Sequence, residues 1–483
     1  LNQSKASLHR RQFLGTSAVG AVLGSSSLAL AGDLNQSGNN EKARQFPDVA
    51  RGEVLQTRGE LSLDQRVLHE SQREIPVAGR AQVIVCGGGP AGIAAALAAA
   101  RAGADVRMIE LAGCLGGVWT AGLLTKILDT DGKSGIMAEL LELFSKRGSS
   151  VARQTQGTVY DPEIAKWVLE ELLVEAGVKI LLHTRVVGAV TIKQNRLAAI
   201  VTESKSGRQV WVADRFIDCT GDGDLAAQAG CRFDVGVDSQ CACQPMSMLA
   251  LLTGVDPDAV GEYIRESGSA AKRKLLNLME QSGINPSYRA PTLRHLHSGI
   301  YSIMTNHEYG VSAFDNQAIT EATIRARREI HGIVESLRRI GGPWKDIAVV
   351  ATAEQIGVRE GRRIQGRFQI TAKDIATGLR HKEAVCRAKF PIDVHALSTS
   401  GDQQIDRSFA KGGLKPYDIP YPALVAADVD GLLMAGRCIS GDFVAHSSYR
   451  VTGNAVPMGE AAGRAAAISI QKSVMPHELS WPT

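Results

Sequence analysis

The side chains of this chain best suited to chemistry stand near its C-terminal end, where Ala445-His446-Ser447-Ser448-Tyr449-Arg450 brings an imidazole, a phenol and a guanidinium together. Hydride leaves a carbon bearing a hydroxyl or amine only as the heteroatom's proton is taken, and a base titrating near neutrality does this. His446 is the expected base and Arg450 the anchor for an anionic or polar substrate group. Tyr449 and Asn454 are weaker, orienting hydrogen-bonders. The rival reading makes His446 a turn cap or a hydrogen-bond partner of a bound cofactor. A second basic group, Arg359, Arg362 and Arg363, reads as a solvated or salt-bridged face, with one arginine reaching the substrate as the alternative. His295 and His297 share a strand face and His307 follows, but no acid or cysteine completes a ligand set. Surface histidines are expected there, and no metal.

Those groups need a scaffold, and the clearest begins at Gln82. Gln82-Val-Ile-Val-Cys86 is a short apolar run of the kind buried on both sheet faces. Gly87-Gly88-Gly89-Pro90-Ala91-Gly92 follows, then an alanine-rich helix over Ile93–Arg101 that Gly103 stops. Asp105 to Glu110 is a second strand ending in an acid. Gly87 permits the tight turn, Gly89 lets backbone approach a diphosphate, and Gly92 lets helix pack on strand. Pro90 and Ala91 open the helix whose N-terminus faces the charge, and Glu110 takes ribose hydroxyls. This is a dinucleotide site. NAD and FAD share it, and the rest of the chain chooses. Gly116 and Gly117 suit a backbone segment running along a long cofactor. A strand over Asp214–Cys219 enters a Gly/Asp turn at Asp222. Another over Gly431–Arg437 leads to Ser440-Gly441-Asp442 and a helix over Gly453–Ala467. Separated segments converging on one cofactor select FAD.

These segments also carry a family likeness. GGGPAG at 87–92, CLGG at 114–117, DCTGDGD at 218–224, GVREGRR at 357–363 and AGRCISGDFVAHSSYRVTGNAVPMGEAAGRAAA at 435–467 resemble the FAD-dependent oxidoreductase family of the glutathione-reductase-like flavoproteins. The resemblance implies an α/β fold: a glutathione-reductase-like FAD-binding Rossmann domain with an inserted α+β substrate domain. It places Gly87, Gly89, Gly92, Glu110, Gly116, Gly117 and Asp442 on FAD-contacting positions. Cys114 departs from the aromatic usual in the family. It reads as a buried thiol, with a covalent flavin tether as the alternative. Cys241 and Cys243 stand too close for an easy disulfide and carry no role.

Asp161 to Ala176 reads as an amphipathic helix, and strands over 179–183, 185–191 and 196–201 complete the cofactor sheet. Strands over 246–254, 300–304 and 347–352 and a helix over 320–339 belong to the substrate side. The expected organisation is FAD-binding 79–235 and 420–471, with a substrate domain at 236–419. Of 483 residues 44% are apolar and 22% charged, and the fifty glycines follow no repeat, which excludes wholesale disorder and collagen-like sequence. Basic residues outnumber acidic ones by 54 to 50, and Lys5, Arg10 and Arg11 fall in an acid-free stretch of 31 residues. No basic footprint for nucleic acid remains. Ser7 to Ala31 resembles a twin-arginine export signal ending in a small-x-small cleavage site. A periplasmic or otherwise exported protein is therefore expected, with a polar leader over 32–78 and no stable membrane anchor after cleavage.

A second G-x-G-x-x-G and a redox C-x-x-C are both missing from the sequence, which disfavours a pyridine-nucleotide disulfide reductase. The expected enzyme is an exported FAD-dependent oxidoreductase of a small alcohol, sugar or amine, reoxidised by a quinone, a redox protein or oxygen. The alternatives are a reductase of an activated alkene or ketone, with Arg450 as proton donor, and a non-redox eliminase or isomerase that retains FAD.

Overall fold

Strands apolar on both sides must be covered on both faces, and Val83, Ile84, Val85 and Cys86 are fully buried. In the computed structural model, which describes residues 59–61, 66–148, 150–154, 157–237, 242–398 and 414–481, they end the strand Val77–Cys86. The export signal over 1–31, most of the leader over 32–78, and Cys241 lie outside the described residues. Val77–Cys86 sits in a seven-stranded sheet, parallel to Val106–Ile109 on one side and to Gly207–Asp218 on the other. Lys179–Leu181 and Leu432–Met434 extend the parallel part, while Arg185–Ile192 and Arg196–Ser204 pair antiparallel. Register matters most here. Cys86 lies opposite both Ile109 and Asp218, and Asp218 lies opposite Met434. The four strands therefore run out at one edge, and Gly87, Glu110, Cys219 and Ala435 emerge side by side. Open parallel sheets take ligands in the crevice beyond that edge.

Proline at the start and alanines throughout make Pro90–Arg101 a helix buried along most of its length. It packs against the last α-helix, Thr452–Gln471, where a Cβ on Gly459 or Gly463 would overlap the carbonyl of Ala91 or Ala95. Small residues four apart let the two backbones touch, so the glycine turn and the last helix are neighbours.

A second core forms over a four-stranded antiparallel sheet: Thr292–His297, Ile300–Met304, Leu249–Thr253 and Ala348–Thr352. The helix Asn316–Ile340 covers it with Ala322, Ala326, Ile330, Ile333 and Leu337. That helix starts earlier than expected because Asp315 caps it, accepting from Ala318 N at 3.0 Å. The expected strand over 246–254 is shorter, since Met246 and Ser247 make isolated bridges to Glu308 and Gly357. The substrate-side boundary also moves. Ile364, Ile370, Ile375, Ala388, Ile392, Val394, Tyr417 and Ile419 pack into the first core, so the second ends near Ile356 and not at 419. No helix among the described residues is long and apolar enough to cross a membrane.

Candidate active site

Backbone builds the cofactor edge. Gly87 takes φ +99°, and a Cβ there would overlap the Cys219 carbonyl; one on Gly92 would overlap the Gly87 carbonyl. Gly89, which caps the helix Pro90–Arg101, has nothing within 4 Å of its Cβ position. Open space thus lies before a helix N-terminus, where a diphosphate is stabilised. The Glu110 carboxylate accepts from Gly88 N and, at 2.6 Å, from Ala112 N, keeping lone pairs for ribose hydroxyls. Burial pushes its pKa up, against those backbone N–H groups. Gly116 N donates to Gly88 O at 2.8 Å, and a Cβ on Gly117 would sit 3.0 Å from Gly89 Cα. Asp222 pairs with Arg437 at 2.7 Å, and Gly436, with φ +94°, lies against Ala91. Gly87, Gly89, Pro90, Ala91, Gly92, Glu110, Gly116 and Gly117 thus meet at one sheet edge, joined through Arg437 to Asp222. Asp442 is already engaged: its carboxylate accepts from Ala445 N at 2.7 Å and Ala372 N at 2.6 Å.

Asn454, in the first turn of the last helix, is fully buried, yet neither side-chain amide atom has a partner among the described residues. The same holds for both ring nitrogens of His446. Each such orphan costs about 1–3 kcal/mol, a cost that polar groups of a bound ligand would remove. Open space at Gly89 and orphans at the last helix together fit a long dinucleotide.

Two of the expected catalytic roles change. His446 is fully buried, and burial together with Arg363, Arg450 and Arg437 holds its pKa well below the usual histidine range. It is neutral and weakly basic, not a base titrating near pH 7. Tyr449 donates its hydroxyl to Ile439 O at 2.9 Å and packs on Gly441, so it holds the loop and does not orient a substrate. Cys114 is a buried thiol 3.7 Å from Thr120 Oγ1. Burial raises its pKa, the opposite of what a flavin-attacking thiolate requires.

Arg450 opens onto a polar cluster that the sequence reading missed. Its Nη2 reaches Gln244 Oε1 at 3.2 Å, Asp393 O at 2.9 Å and Asp393 Oδ2 at 3.3 Å. Asp393 also faces His395 Nε2 at 3.4 Å, while His395 Nδ1 has no partner among the described residues. The His395 ring meets His307 edge-on at 4.9 Å, and Tyr288 lies 4.2 Å from His307 between ring centres. His307 approaches Tyr309 Oη at 3.2 Å and Arg359 Nη2 at 3.4 Å. Lys272 Nζ stands 5.7 Å from the Tyr288 ring centre.

Burial first, then Arg359, hold His395 down to about 4 against the pull of Asp393. Burial, Arg359, His395 and Lys272 depress His307 further. Burial, then Arg294 and Arg265, lower Lys272 to about 8. Burial raises the pKa of Asp393, but His395, Arg450 and Arg359 outweigh it and hold that carboxyl well below its usual range.

The three-arginine stretch divides accordingly. Arg362 pairs with Asp224 at 2.8 Å and Arg363 with Glu360 at 2.6 Å, whereas Arg359 turns to His307. The three histidines first grouped together do not meet. His297 pairs with Asp161, His295 packs on Tyr301, and His307 is buried rather than on the surface. Among the described residues no three His, Cys, Asp or Glu side chains gather as a metal site. An acid and an imidazole two apart, Asp393 and His395 within the apolar run Phe390–Leu397, was the one local signal of this cluster.

The model of a family described as FAD dependent oxidoreductase matches residues 82–483. No curated protein matches the chain. Among solved structures it is similar to a geranylgeranyl bacteriochlorophyll reductase-like protein from Thermoplasma acidophilum. Identity is 14%, over 82% of this chain and 80% of that one, with a TM-score of 0.45. The p-nitrophenol 4-monooxygenase PnpA from Pseudomonas putida DLL-E4 gives 12% identity, 82% of each chain and a TM-score of 0.45. The flavin-dependent brominase Bmp2 gives 12% identity over 84% of this chain and 81% of that one, with a TM-score of 0.45.

Proposed function

The chain belongs to the FAD-dependent oxidoreductase family, and from that premise we propose that it oxidises a small alcohol, sugar or amine and passes two electrons to an external quinone, redox protein or oxygen. FAD, when bound, supplies the N5 position that accepts the hydride. Gly89 and the helix N-terminus at Pro90 would hold its diphosphate, Glu110 its ribose, and His446 and Asn454 polar edges of its ring. We read the domain that holds it as glutathione-reductase-like.

The proton leaving the substrate's hydroxyl or amine goes to His395 Nδ1. Asp393, facing Nε2, favours the tautomer that keeps a lone pair on Nδ1. Arg450, anchored on Asp393, holds a polar or anionic group of the substrate. The observation that carries this reading is a set of orphaned atoms: His395 Nδ1 and Gln244 Nε2 in the Arg450 cluster, and the His446 ring nitrogens and Asn454 amide in the last two helices. The segment Ser7–Ala31 supports export, which places the enzyme away from reduced nicotinamide and leaves quinones, redox proteins or oxygen as acceptors.

Anaerobic mixing of the FAD-loaded protein with alcohols, sugars and amines tests the reaction: loss of absorbance at about 450 nm marks hydride arrival. His395→Ala slows that bleaching by roughly 10²–10⁴-fold without changing FAD content. Bleaching at an unaltered rate removes His395 from the mechanism, and product without any bleaching supports an eliminase or isomerase instead.

A further inference from the structure

Charge around His307 and His395 is unbalanced. Arg359 directs Nη1 at Pro245 O at 2.6 Å and Ser247 Oγ at 2.9 Å, and Nη2 at His307 Nε2 and the Met304 sulfur. None of these is an anion. Lys272 faces the Tyr288 ring and makes no ion pair among the described residues, with Asp393 acting on it from a distance. Arg450 shares Asp393 with His395. Of the neighbouring cations, Arg363 has Glu360 to itself, while Arg294 and Lys126 share Glu266. Arg359, Lys272 and Arg450 thus share Asp393, with Glu360 acting on Arg450 from beside Arg363, and burial and the cations hold both imidazoles neutral. All three cations are partly buried, and holding unpaired charge partly away from water is costly unless a counter-charge arrives.

We propose that the substrate carries an oxyanion, a carboxylate or a phosphate ester, seated between Arg359 and Lys272 against the His307–Tyr288 pair. The substrate class narrows to hydroxy acids, amino acids, sugar acids or sugar phosphates. The class rests on the oxidoreductase reading, whereas the anion site stands on the cluster alone. Two further observations agree with it. Lys272 lies in the first turn of the helix Ala271–Gln281, whose uncapped N-terminus adds positive potential on the same side. After burial, Arg359 is the foremost influence depressing His395, so an oxyanion on Arg359 makes His395 more basic as the substrate binds. Substrate binding and base activation are then one event.

Calorimetric titration of the FAD-loaded protein with acetate, oxalate and inorganic phosphate, using acetamide as the neutral control, tests the site. Saturable binding of an anion without binding of acetamide is expected, and the preferred anion separates carboxylate from phosphate. Arg359→Gln weakens that anion roughly 10- to 100-fold, as loss of a charge-assisted hydrogen bond does, with FAD content unchanged. Lys272→Gln on the opposite side weakens it several-fold and serves if Arg359→Gln does not fold. Equal binding of acetamide, no binding of any of the three anions, or wild-type affinity in the folded variants overturns the proposal. Anion binding that depends on Arg359, in a protein whose flavin no substrate bleaches, sinks the oxidoreductase reading and leaves the anion site standing.

Discussion

The cofactor edge and the substrate cluster are made of different materials. At the first, main chain does the work: Gly87, Gly89, Gly92, Gly116 and Gly117 bring backbone against backbone, and strand register aligns four strand ends. Its charges are matched in place, Asp222 by Arg437 and Glu110 by backbone N–H groups. The second is assembled from side chains of Gln244, Lys272, Tyr288, His307, Arg359, Asp393, His395 and Arg450, and its cations outnumber its acids. One region is formed and balanced before any ligand arrives; the other is poised for a charge it lacks. The same difference separates what each can tolerate. Backbone sites fail by steric overlap, and charged sites fail by a change of electrostatic balance.

The largest expected effect tests the glycine turn. Gly92→Ala drives a Cβ into the Gly87 carbonyl and lowers unfolding stability by about 3 kcal/mol in a urea melt of the FAD-free protein. Gly89→Ala meets open space, so the same melt changes by no more than the roughly 1 kcal/mol of a weakened N-cap, while FAD affinity in a fluorescence titration falls roughly 100-fold. Equal destabilisation by the two variants breaks the distinction between a structural and a ligand-facing glycine.

A smaller effect should appear at the cluster with inverted sign. Asp393→Asn removes the carboxylate that pairs with Arg450 and tightens oxalate by roughly 3- to 10-fold. Weaker binding would mean that Asp393 serves chiefly to position Arg450 and His395. The smallest effect is in pH. Burial, Arg294, Arg265 and Lys126 hold Lys272 down to about 8, with Asp393 opposing. Its protonated form, dominant below that pH, is the one that attracts an anion. Oxalate affinity should therefore fall several-fold as pH rises through about 8 and above, since a bound anion raises the lysine's pKa. FAD affinity, read from the same titration, should stay flat across that window.

Legibility followed the same division. The strand–turn–helix from Gln82 to Arg101 was readable because apolar runs, a positive φ at Gly87 and the close approach at Gly92 are demands met within a few residues. The helix Asn316–Ile340 was readable from its periodic apolar stripe, except for its first turn, which depends on the cap at Asp315. His446 was read as a base because hydride transfer calls for a group titrating near neutrality, which an imidazole beside Tyr449 and Arg450 supplies in the absence of burial. Arg363, from the segment after the second core, and Arg437 and Arg450, from either side of its helix, set its true environment. His307 was grouped with His295 and His297 by proximity in the chain, whereas folding turns it to His395, which lies far along the sequence.

By itself, then, the amino-acid order determined the strand–turn–helix at Gly87 and the FAD cofactor, because glycine spacing and hydrophobic period are properties of neighbouring residues. Only the tertiary structure decided which charges face one another, and so which imidazoles burial and arginines hold neutral. The reason is electrostatic: a side chain's proton affinity is set by burial and by charges within a few ångströms, and here those charges come from distant parts of the chain.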